Sequence, residues 1–355
     1  MINIKSNIHD YDLSFHSSVD FFASLKSIPA KVIVIDAVVH KLYPQLTEGI
    51  DSNDVICIDA IEENKTLEQV QNLLLKLIDR PEKRQLTLIS IGGGIIQDIS
   101  GYAASTLYRG IKWIFVPTTL LAQADSCVGS KTSINFAGYK NILGGFYPPH
   151  HVHLCTEFLI SLDKVDFYSG VGEIIKFLLL DDTKEPDFEE IRLLVADLYL
   201  QKALQQGIES SLKVKQSYIN QDEFDSGKRN LFNYGHCFGH ALEVSSNFKV
   251  PHGMAVTIGM IFANIVAVKR QWMSAGVYET LNSTLLLPNI AIRLSVDWFE
   301  HTILLDALKN DKKRVGTELT LILPSSDKIA AVKIHDMSET EFSDALSELS
   351  LVLDL

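Results

Sequence analysis

The sequence lacks several features that define other classes of protein. Its four cysteines lie far apart and include no CxxC pair, which argues against a disulfide framework or a cysteine zinc site and fits a reducing cytoplasm. The N-terminal residues do not have the charged-then-apolar pattern of a signal peptide. The longest nearly apolar stretch, Gly253 to Val268, is short of a membrane span and contains Asn264, so it predicts a buried helix.

An excess of basic charge is also missing. Lysine and arginine number 32 against 44 aspartates and glutamates, which gives a formal net charge of −12. This balance argues against nucleic acid or an anionic membrane as a partner, although it leaves room for a small basic pocket. The 355 residues exceed one ordinary core and predict two domains. We find no internal repeat, low-complexity tract or linker rich in proline and glycine.

The first half of the chain alternates short apolar runs with helical patterns. Continuous apolar runs, which are typical of strands buried on both faces, occupy residues 31–39, 54–60, 85–91, 111–117 and 151–156. Between the second and third runs, residues 67–78 carry leucines and valine at helical spacing. This βαβ order predicts a mostly parallel sheet covered by helices.

From about Asp166 the pattern changes to long helical periodicities. Two strand-like runs, 318–324 and 330–335, predict a late hairpin, and Ser338 with Glu341 forms a capping box at the start of a last helix. We therefore predict an α/β domain over residues 1–160 and a mainly α-helical domain over residues 161–355.

A strand-to-helix turn contains three consecutive glycines. Gly92, Gly93 and Gly94 follow the apolar run 85–91 and precede a helical stretch with Asp98. Such a turn lets backbone amides approach a phosphate at a helix N-terminus, but a plain tight turn has the same composition. Asp36, at the end of the first run, fits either a ribose contact or a solvated strand end.

Three histidines and a carboxylate provide a candidate metal site. His236 and His240 are four residues apart on one helical face, and His252 follows in PHGMAV. Glu173 lies in GVGEIIK, with Lys176 one turn later. Two histidines and a carboxylate form a usual catalytic zinc site, and the spacing favours the pair His236 and His240, with one histidine left to contact substrate. No HExxH motif is present, so a zincin protease is excluded.

Basic residues cluster near these motifs in an otherwise acidic chain. Asp125, Lys131, Lys140 and Asn141 share a predicted loop of small residues, and further basic residues are Lys215, Lys228, Arg229, Lys312 and Lys313. Any one of these lysines alone is typical of a solvated surface. Together they indicate a site for an anionic small molecule, in which lysine suits phosphate and Arg229 suits a carboxylate.

Taken together, these segments resemble the 3-dehydroquinate synthases and their relatives, the sugar phosphate cyclases. The matching motifs, in the family's order, are GGGIIQDISGYAASTLYRG, PTTLLAQADSCVGSKTSIN, YKNILGGFYPP, GVGEIIK, RNLFNYGHCFGHALE, PHGMAVTIGM and NDKK. The resemblance covers roughly residues 31 to 324. It implies a Rossmann-like NAD-binding domain followed by a helical domain that binds metal and substrate.

The resemblance also implies roles for individual residues. It assigns a Zn²⁺ or Co²⁺ ion to Glu173, His236 and His252. It assigns NAD to Asp36, Glu62, Lys65, Gly92, Gly93, Gly94, Asp98, Thr118, Thr119, Asp125, Lys131, Lys140 and Phe158. It assigns substrate contacts, several to the phosphate, to Lys131, Lys140, Asn141, Asn233, His240 and either Lys312 or Lys313, with Lys313 preferred. Lys215 and Arg229 match the pair that binds the substrate carboxylate, and Lys176 matches a further active-site position. Arg109 matches an arginine that reaches the neighbouring subunit's site, which implies a homodimer.

The implied activity is that of a cytoplasmic carbon–oxygen lyase of the shikimate pathway of aromatic amino-acid biosynthesis. Its substrate is a sugar phosphate, 3-deoxy-D-arabino-heptulosonate 7-phosphate, and its products are 3-dehydroquinate and phosphate. The family's reaction combines transient oxidation by NAD, elimination of phosphate, reduction and intramolecular aldol closure, so that NAD is regenerated.

Three residues depart from the family's pattern. Gln97 replaces the third glycine of the turn, Ser130 replaces a glycine beside Lys131, and Met254 replaces a glutamate after His252. A further basic residue of the family, expected near residues 184–190, has no clear counterpart. These departures keep open a cyclase acting on another sugar phosphate, such as sedoheptulose 7-phosphate. The motifs are also compatible with a metal- and NAD-dependent polyol dehydrogenase and with a non-catalytic binding protein.

Overall fold

The computed structural model describes residues 1–137, 139–309 and 319–355. It contains two compact units. The first comprises Met1–Leu162 with Lys215–Phe224, and the second comprises Asp163–Val214 with Asp225–Leu355.

The first unit is built on a parallel sheet with helices between its strands. Its strands are β1 Ile2–Ile4, β2 Tyr11–His16, β3 Lys31–Asp36, β4 Val55–Ile58, β5 Thr87–Gly92, β6 Lys112–Pro117, β7 Lys131–Phe136, β8 Tyr139–Phe146 and β9 His151–Cys155. Its helices are α1 Phe22–Lys26, α2 Ala37–Leu42, α3 Leu67–Ile78 and α4 Gly94–Thr106. The main sheet has the order β1-β2-β9-β6-β5-β3-β4 and is parallel except for the edge pair β1 and β2.

Burial explains why the central strands were predictable. All six residues of β5 are buried, as expected for a strand covered on both faces. Ile35 of β3 pairs with Ile91 of β5, and Gly92 of β5 pairs with Pro117 of β6. The carboxyl ends of these three strands therefore meet at one edge of the sheet, which is where open α/β sheets bind ligands. The predicted α/β fold with a mostly parallel sheet is confirmed.

The predicted loop around Asp125 and Lys140 is wrong in part. A short π-helix occupies Ala122–Ser126, and β7 and β8 form an antiparallel hairpin. In β7 the buried residues Thr132 and Ile134 alternate with more exposed ones, so the strand has the expected period of two. Its serine and threonine residues hide this pattern from an analysis based on apolar runs. Strand β2 was also not predicted, although its buried residues Tyr11 and Leu13 alternate with the less buried Asp12 and Ser14.

The second unit is mainly helical. Its helices are α5 Lys164–Leu179, α6 Phe188–Ala196, α7 Gln201–Ile219, α8 His236–Ser245, α9 His252–Lys269, α10 Ala275–Leu281, α11 His301–Lys309 and α12 Glu339–Val352. Helix α7 contributes to both units, because the boundary falls after Val214. The predicted late hairpin is confirmed as β10 Leu319–Pro324 and β11 Ala331–Met337. Ser338 caps α12 by accepting a hydrogen bond from the Glu341 amide at 3.1 Å, as predicted.

Helix α9 forms the centre of the second unit. It is long enough and apolar enough to cross a membrane, but 83% of it is buried inside the protein. Residues 253–267 are all buried, and α9 packs against α5, α8 and α12. The predicted buried helix is therefore confirmed as the core helix of this unit.

Candidate active site

Glu173 and two histidines converge within the second unit. Glu173 lies on α5, His236 is the first residue of α8, and His252 is the first residue of α9. The Glu173 Oε1 atom lies 3.4 Å from His236 Nε2 and 3.6 Å from His252 Nε2. The ligand atoms of His236, His240 and His252 all lie within 4.8 Å of one another. Three histidines thus lie close together, and Glu173 from a third helix contacts two of them.

Glycines let these helices approach closely. A Cβ atom added at Gly253 would lie 1.7 Å from the Ser169 carbonyl oxygen on α5. Gly235 has a φ of +79°, and a Cβ atom added there would lie 2.4 Å from the Val256 carbonyl oxygen on α9. Only glycine accommodates both the contact and the left-handed backbone at Gly235. Gly235 directly precedes His236, and Gly253 directly follows His252. The close helix contacts at these glycines therefore determine how near the histidines lie to Glu173.

The other ring nitrogen of each histidine has a polar neighbour. His252 Nδ1 lies 3.4 Å from Glu243 Oε2, and His236 Nδ1 lies 3.4 Å from the Tyr234 carbonyl oxygen. These neighbours favour a hydrogen on Nδ1 of both rings, so Nε2, which faces Glu173, is the nitrogen that a metal ion would bind once His252 has lost its second proton. A carboxylate or carbonyl behind each imidazole is the usual arrangement for metal-binding histidine.

The donor set fits a divalent transition metal ion. Ligand atoms about 2.1 Å from a tetrahedral ion lie about 3.4 Å from one another, which is close to the two distances from Glu173. Imidazole and carboxylate suit zinc and also cobalt. His240 is exposed, and its ring centroid lies 5.4 Å from that of His236 and 5.7 Å from that of His252. It therefore borders the cluster on its accessible side.

Charge is distributed unequally over the cluster. Burial and the nearby Lys176 ammonium hold the pKa of His236 well below its usual value. Burial also opposes a charge on His252, but the Glu243 and Glu173 carboxylates overcome it and raise the pKa of His252 to about 10. Lys176 is buried and pairs with Glu173 Oε2. The cluster thus balances its carboxylates with cations, which a metal ion would replace in part.

The glycine turn lies at the carboxyl edge of the sheet in the first unit. Gly93 precedes α4, and a Cβ atom added there would lie 3.0 Å from Thr119 Cγ2. The Thr118 amide donates to the Gly92 carbonyl at 3.0 Å, which fixes the end of β6 beside the turn. Asp36 ends the neighbouring β3, caps α2 by accepting from the Val38 amide at 2.9 Å, and has a pKa raised by burial.

A polar network connects other residues that the resemblance assigned to NAD. Lys65 and Asp98 form a largely buried ion pair at 2.6 Å, and Asp98 also accepts from the Ser133 amide at 2.9 Å. Burial raises the pKa of Asp98 although Lys65 opposes the shift. Glu62 Oε1 accepts from Asn135 Nδ2 at 2.9 Å and lies 3.5 Å from Lys140 Nζ.

The hairpin carries the remaining predicted residues of this region. Asn141 donates its backbone amide to Asn135 Oδ1 at 2.9 Å, and Ser133 Oγ donates to Asn141 Oδ1 at 3.1 Å. Lys131 is exposed at the beginning of β7. Phe158 instead packs in the apolar core with its ring centroid 5.0 Å from that of Tyr43.

Lys215 belongs to the first unit although it lies far along the chain. Its ammonium donates to the Asp125 carbonyl and to Asp125 Oδ1, both at 2.6 Å. Glu223 anchors the same segment by accepting from the Asn7 amide and Asn7 Nδ2, each at 2.7 Å. Ser130 Oγ also lies 3.4 Å from Glu223, and Ser130 has a φ of +65°, a conformation that favours the glycine of the family pattern.

The backbone beside Arg109 is strained. Tyr108, Arg109 and Gly110 have φ values of +54°, +68° and +119°, so three consecutive residues lie in the left-handed region. For the two residues with side chains this conformation is unfavourable, and such strain occurs most often at functional sites.

The second unit contains the other predicted substrate residues. Arg229 is buried, and Asn233 Nδ2 donates to the Asn230 carbonyl at 2.7 Å. Lys228 forms an ion pair with Asp182. The predictions at Lys312 and Lys313 lie outside the described residues.

Sequence reasoning missed several residues with contacts to these groups, including Glu243, Ser133 and Asn135. Glu243 had a usable signal, because His236, His240 and Glu243 follow the spacing i, i+4, i+7 on one helical face. Met254, which replaces the family's glutamate, is fully buried. A carboxylate is nevertheless present near His252, because Glu243 Oε2 lies 3.4 Å from His252 Nδ1.

Comparisons with known proteins agree with this architecture. Two family models match in succession, 3-dehydroquinate synthase N-terminal over residues 55–169 and 3-dehydroquinate synthase C-terminal over residues 170–314. A curated 3-dehydroquinate synthase from Streptococcus equi subsp. equi is 30% identical, with 98% of this chain and 99% of the relative covered. The chain therefore belongs to the 3-dehydroquinate synthase family.

Solved structures share the fold. The 2-epi-5-epi-valiolone synthase of Streptomyces hygroscopicus subsp. jinggangensis, with NAD⁺ and Zn²⁺ bound, has a TM-score of 0.84 and 23% identity over 99% of both chains. A 2-deoxy-scyllo-inosose synthase complexed with carbaglucose-6-phosphate, NAD⁺ and Co²⁺ has a TM-score of 0.81 and 24% identity, covering 98% of this chain and 99% of that one.

Proposed function

We propose that this protein converts 3-deoxy-D-arabino-heptulosonate 7-phosphate to 3-dehydroquinate and phosphate, as a carbon–oxygen lyase of the shikimate pathway. The observation that carries the proposal is the convergence of Glu173, His236 and His252 in a member of the 3-dehydroquinate synthase family. Curated relatives with this name match almost the whole chain.

We infer that the first unit binds NAD and that the Glu173 cluster binds Zn²⁺ or Co²⁺. The glycine turn at the carboxyl edge of the parallel sheet and the donor set of the cluster support these assignments. When bound, NAD supplies a hydride acceptor and donor, and the metal ion supplies a Lewis acid. The proposed metal ligands are Glu173, His236 and His252, with His240 on the substrate.

The chain's own charged groups select the substrate and orient it. Lys215, fixed by Asp125, and the buried Arg229 are proposed to bind the substrate carboxylate. Arginine binds a carboxylate through two hydrogen bonds, whereas lysine adds a point charge. Because this chain has both Lys215 and Arg229, a substrate with a carboxylate is favoured over sedoheptulose 7-phosphate, which has no carboxylate.

Other residues are proposed to contact the phosphate and the other oxygen atoms of the substrate. Lys131, Lys140, Asn141, Asn233 and His240 are each proposed to contact the substrate, several of them at its phosphate. His240 is exposed beside the metal cluster, so it is suited to hydrogen-bond a substrate oxygen and to stabilise charge that develops there. Lys176 balances the Glu173 charge from the buried side.

The proposed assembly is a homodimer in the cytoplasm. The strained backbone that presents Arg109 supports a specific role for this side chain, and the role we propose is a contact with the partner's substrate. Mixing an inactive Arg109→Ala variant with an inactive His252→Ala variant tests this role, because re-formed mixed dimers would regain activity in one site. No regain would contradict the shared site.

The activity is tested by measuring phosphate release from 3-deoxy-D-arabino-heptulosonate 7-phosphate with NAD, before and after treatment with a chelator and restoration with zinc. We expect release that the chelator abolishes and zinc restores, and a product with the mass of 3-dehydroquinate. Release from sedoheptulose 7-phosphate alone, by the same folded and metal-loaded protein, would contradict the proposed substrate.

A further inference from the structure

We propose that Gln97 is a positioning residue that fixes Asp125 and, through it, the Lys215 ammonium. The proposal rests on the proposed function only for its kinetic test. Gln97 stands where the family pattern has a glycine, so the hydrogen bonds of its side chain are a feature of this chain that a glycine could not provide.

The Gln97 side chain makes a reciprocal pair of hydrogen bonds with one residue. Its Nε2 atom donates to the Ser126 carbonyl at 2.6 Å, and Ser126 Oγ donates to Gln97 Oε1 at 2.5 Å. Gln97 is 4% exposed, so little water competes for these bonds. A buried amide with both of its polar atoms bonded is held in one orientation.

Ser126 is the last residue of the π-helix Ala122–Ser126. Carbonyl groups at a helix C-terminus lack partners within the helix and need them from elsewhere. Here the Ser126 carbonyl accepts from Gln97, and the preceding Asp125 carbonyl accepts from Lys215 at 2.6 Å. Two side chains from other elements thus cap adjacent carbonyls of one short helix.

The backbone of Gln97 is itself fixed by the glycine turn. Its amide donates to the Gly93 carbonyl at 3.0 Å, within the first turn of α4. A continuous series of short contacts therefore leads from the glycine turn through Gln97 and Ser126 to Asp125 and Lys215. Loss of the Gln97 side-chain amide would remove the hydrogen bonds that hold Ser126 at the end of the π-helix. The glycine turn would keep its backbone hydrogen bonds.

The test replaces Gln97 by methionine, which has similar length but cannot donate to the Ser126 carbonyl. A buried carbonyl group that loses its hydrogen-bond donor raises the free energy of the conformation that buries it, and the population of that conformation falls by about 10-fold. We expect the KM for 3-deoxy-D-arabino-heptulosonate 7-phosphate to rise about 10-fold, since Asp125 and Lys215 lose their fixed position. The Kd for NAD, measured by calorimetry, should change less than the KM, because the glycine turn is unchanged and Asp125 is only one of the residues assigned to NAD.

A second readout does not depend on catalysis. The Cys127 amide donates to the Ala122 carbonyl and the Val128 amide donates to the Asp125 carbonyl, so these two amides report on the end of the π-helix. Hydrogen–deuterium exchange across residues 122–128 should become faster in Gln97→Met while exchange in the strands β3 and β5 stays the same. If the wild-type protein shows no turnover, the proposed function fails, and this exchange measurement still tests the role of Gln97.

Ser126→Ala is a milder variant that removes only one of the two hydrogen bonds. It should give the same selective rise in KM at a smaller size, and it should add nothing further in a Gln97→Met background, since the two side chains act as one unit. An unchanged KM and unchanged exchange at residues 122–128 in folded Gln97→Met would overturn the proposal. A uniform rise in exchange over the whole chain would also overturn it, because that result indicates loss of global stability.

Discussion

Replacing Gly253 with alanine is expected to weaken metal binding strongly without unfolding the protein. The added Cβ atom would lie 1.7 Å from the Ser169 carbonyl oxygen, whereas real Cβ contacts are essentially never below 3.0 Å. The first turn of α9 must therefore move away from α5 by about 1.3 Å. Ser169 lies one turn before Glu173, and Gly253 adjoins His252, so the same movement separates two proposed metal ligands.

The size of this movement decides the outcome. Metal–ligand distances tolerate deviations of only about 0.2 Å, so a separation of about 1.3 Å exceeds that tolerance several times. Overpacking of this kind typically costs about 1–3 kcal/mol of folding free energy, which a protein of this size generally survives. We therefore expect a folded variant whose zinc affinity, measured by competition with a fluorescent chelator, is lower by at least about 100-fold.

Gly276→Ala is the matched control. A Cβ atom added at Gly276, on α10 of the same unit, meets nothing within 4 Å. Alanine is the better helix former, so this variant should be as stable as the wild type or more stable by up to about 1 kcal/mol, with unchanged zinc affinity. Stoichiometric zinc binding with wild-type affinity by folded Gly253→Ala would refute the reasoning that glycine contacts set the ligand geometry.

Three further predictions follow from charges in the two units. The His252 imidazole is positively charged below its pKa of about 10, and it must lose a proton to bind a metal ion, so zinc binding at neutral pH should release one proton. Calorimetry in buffers of different ionisation enthalpy measures this release. A binding enthalpy that does not depend on the buffer would contradict the assignment of His252 as a ligand. Lys65→Met leaves Asp98 buried without its cation and should lower the free energy of unfolding, measured in urea, by about 3 kcal/mol. The control Lys76→Met, at an exposed lysine, should change it by less than about 0.5 kcal/mol. Equal effects of the two variants would show that the ion pair contributes nothing to stability. Arg229→Ala should raise the KM for 3-deoxy-D-arabino-heptulosonate 7-phosphate about 100-fold with the NAD affinity unchanged, and unaltered kinetics would exclude Arg229 from carboxylate binding.

The parts of the fold that sequence could predict are those with a strong local signal. The strands β3, β5 and β6 are continuous apolar runs because both faces are covered, and α3 has the bounds predicted from its leucine spacing. The hairpin of β7 and β8 was missed because its alternation uses Thr132 and Ile134 among small polar residues. Local composition therefore failed where burial is one-sided and the buried residues are not strongly apolar.

The candidate site shows the same division. Motif spacing identified His236, His240 and His252, and the structure brings them together with Glu173, which lies 63 residues before His236 in the sequence. The spacing could not reveal that Gly253 and Gly235 permit the helices to approach, because close contact depends on tertiary packing. In the same way Gln97 was visible as a departure, but its partner Ser126 is 29 residues away and on another element.

The redox balance of the reaction tests the central claim most directly. Protein loaded with zinc is supplied with 3-deoxy-D-arabino-heptulosonate 7-phosphate in large excess over NAD, and phosphate, 3-dehydroquinate and the absorbance of NADH are followed together. We predict one phosphate and one 3-dehydroquinate for each substrate consumed, many turnovers for each NAD, and no accumulation of NADH. Formation of NADH in proportion to substrate consumed, without release of phosphate, would contradict it and would indicate a dehydrogenase.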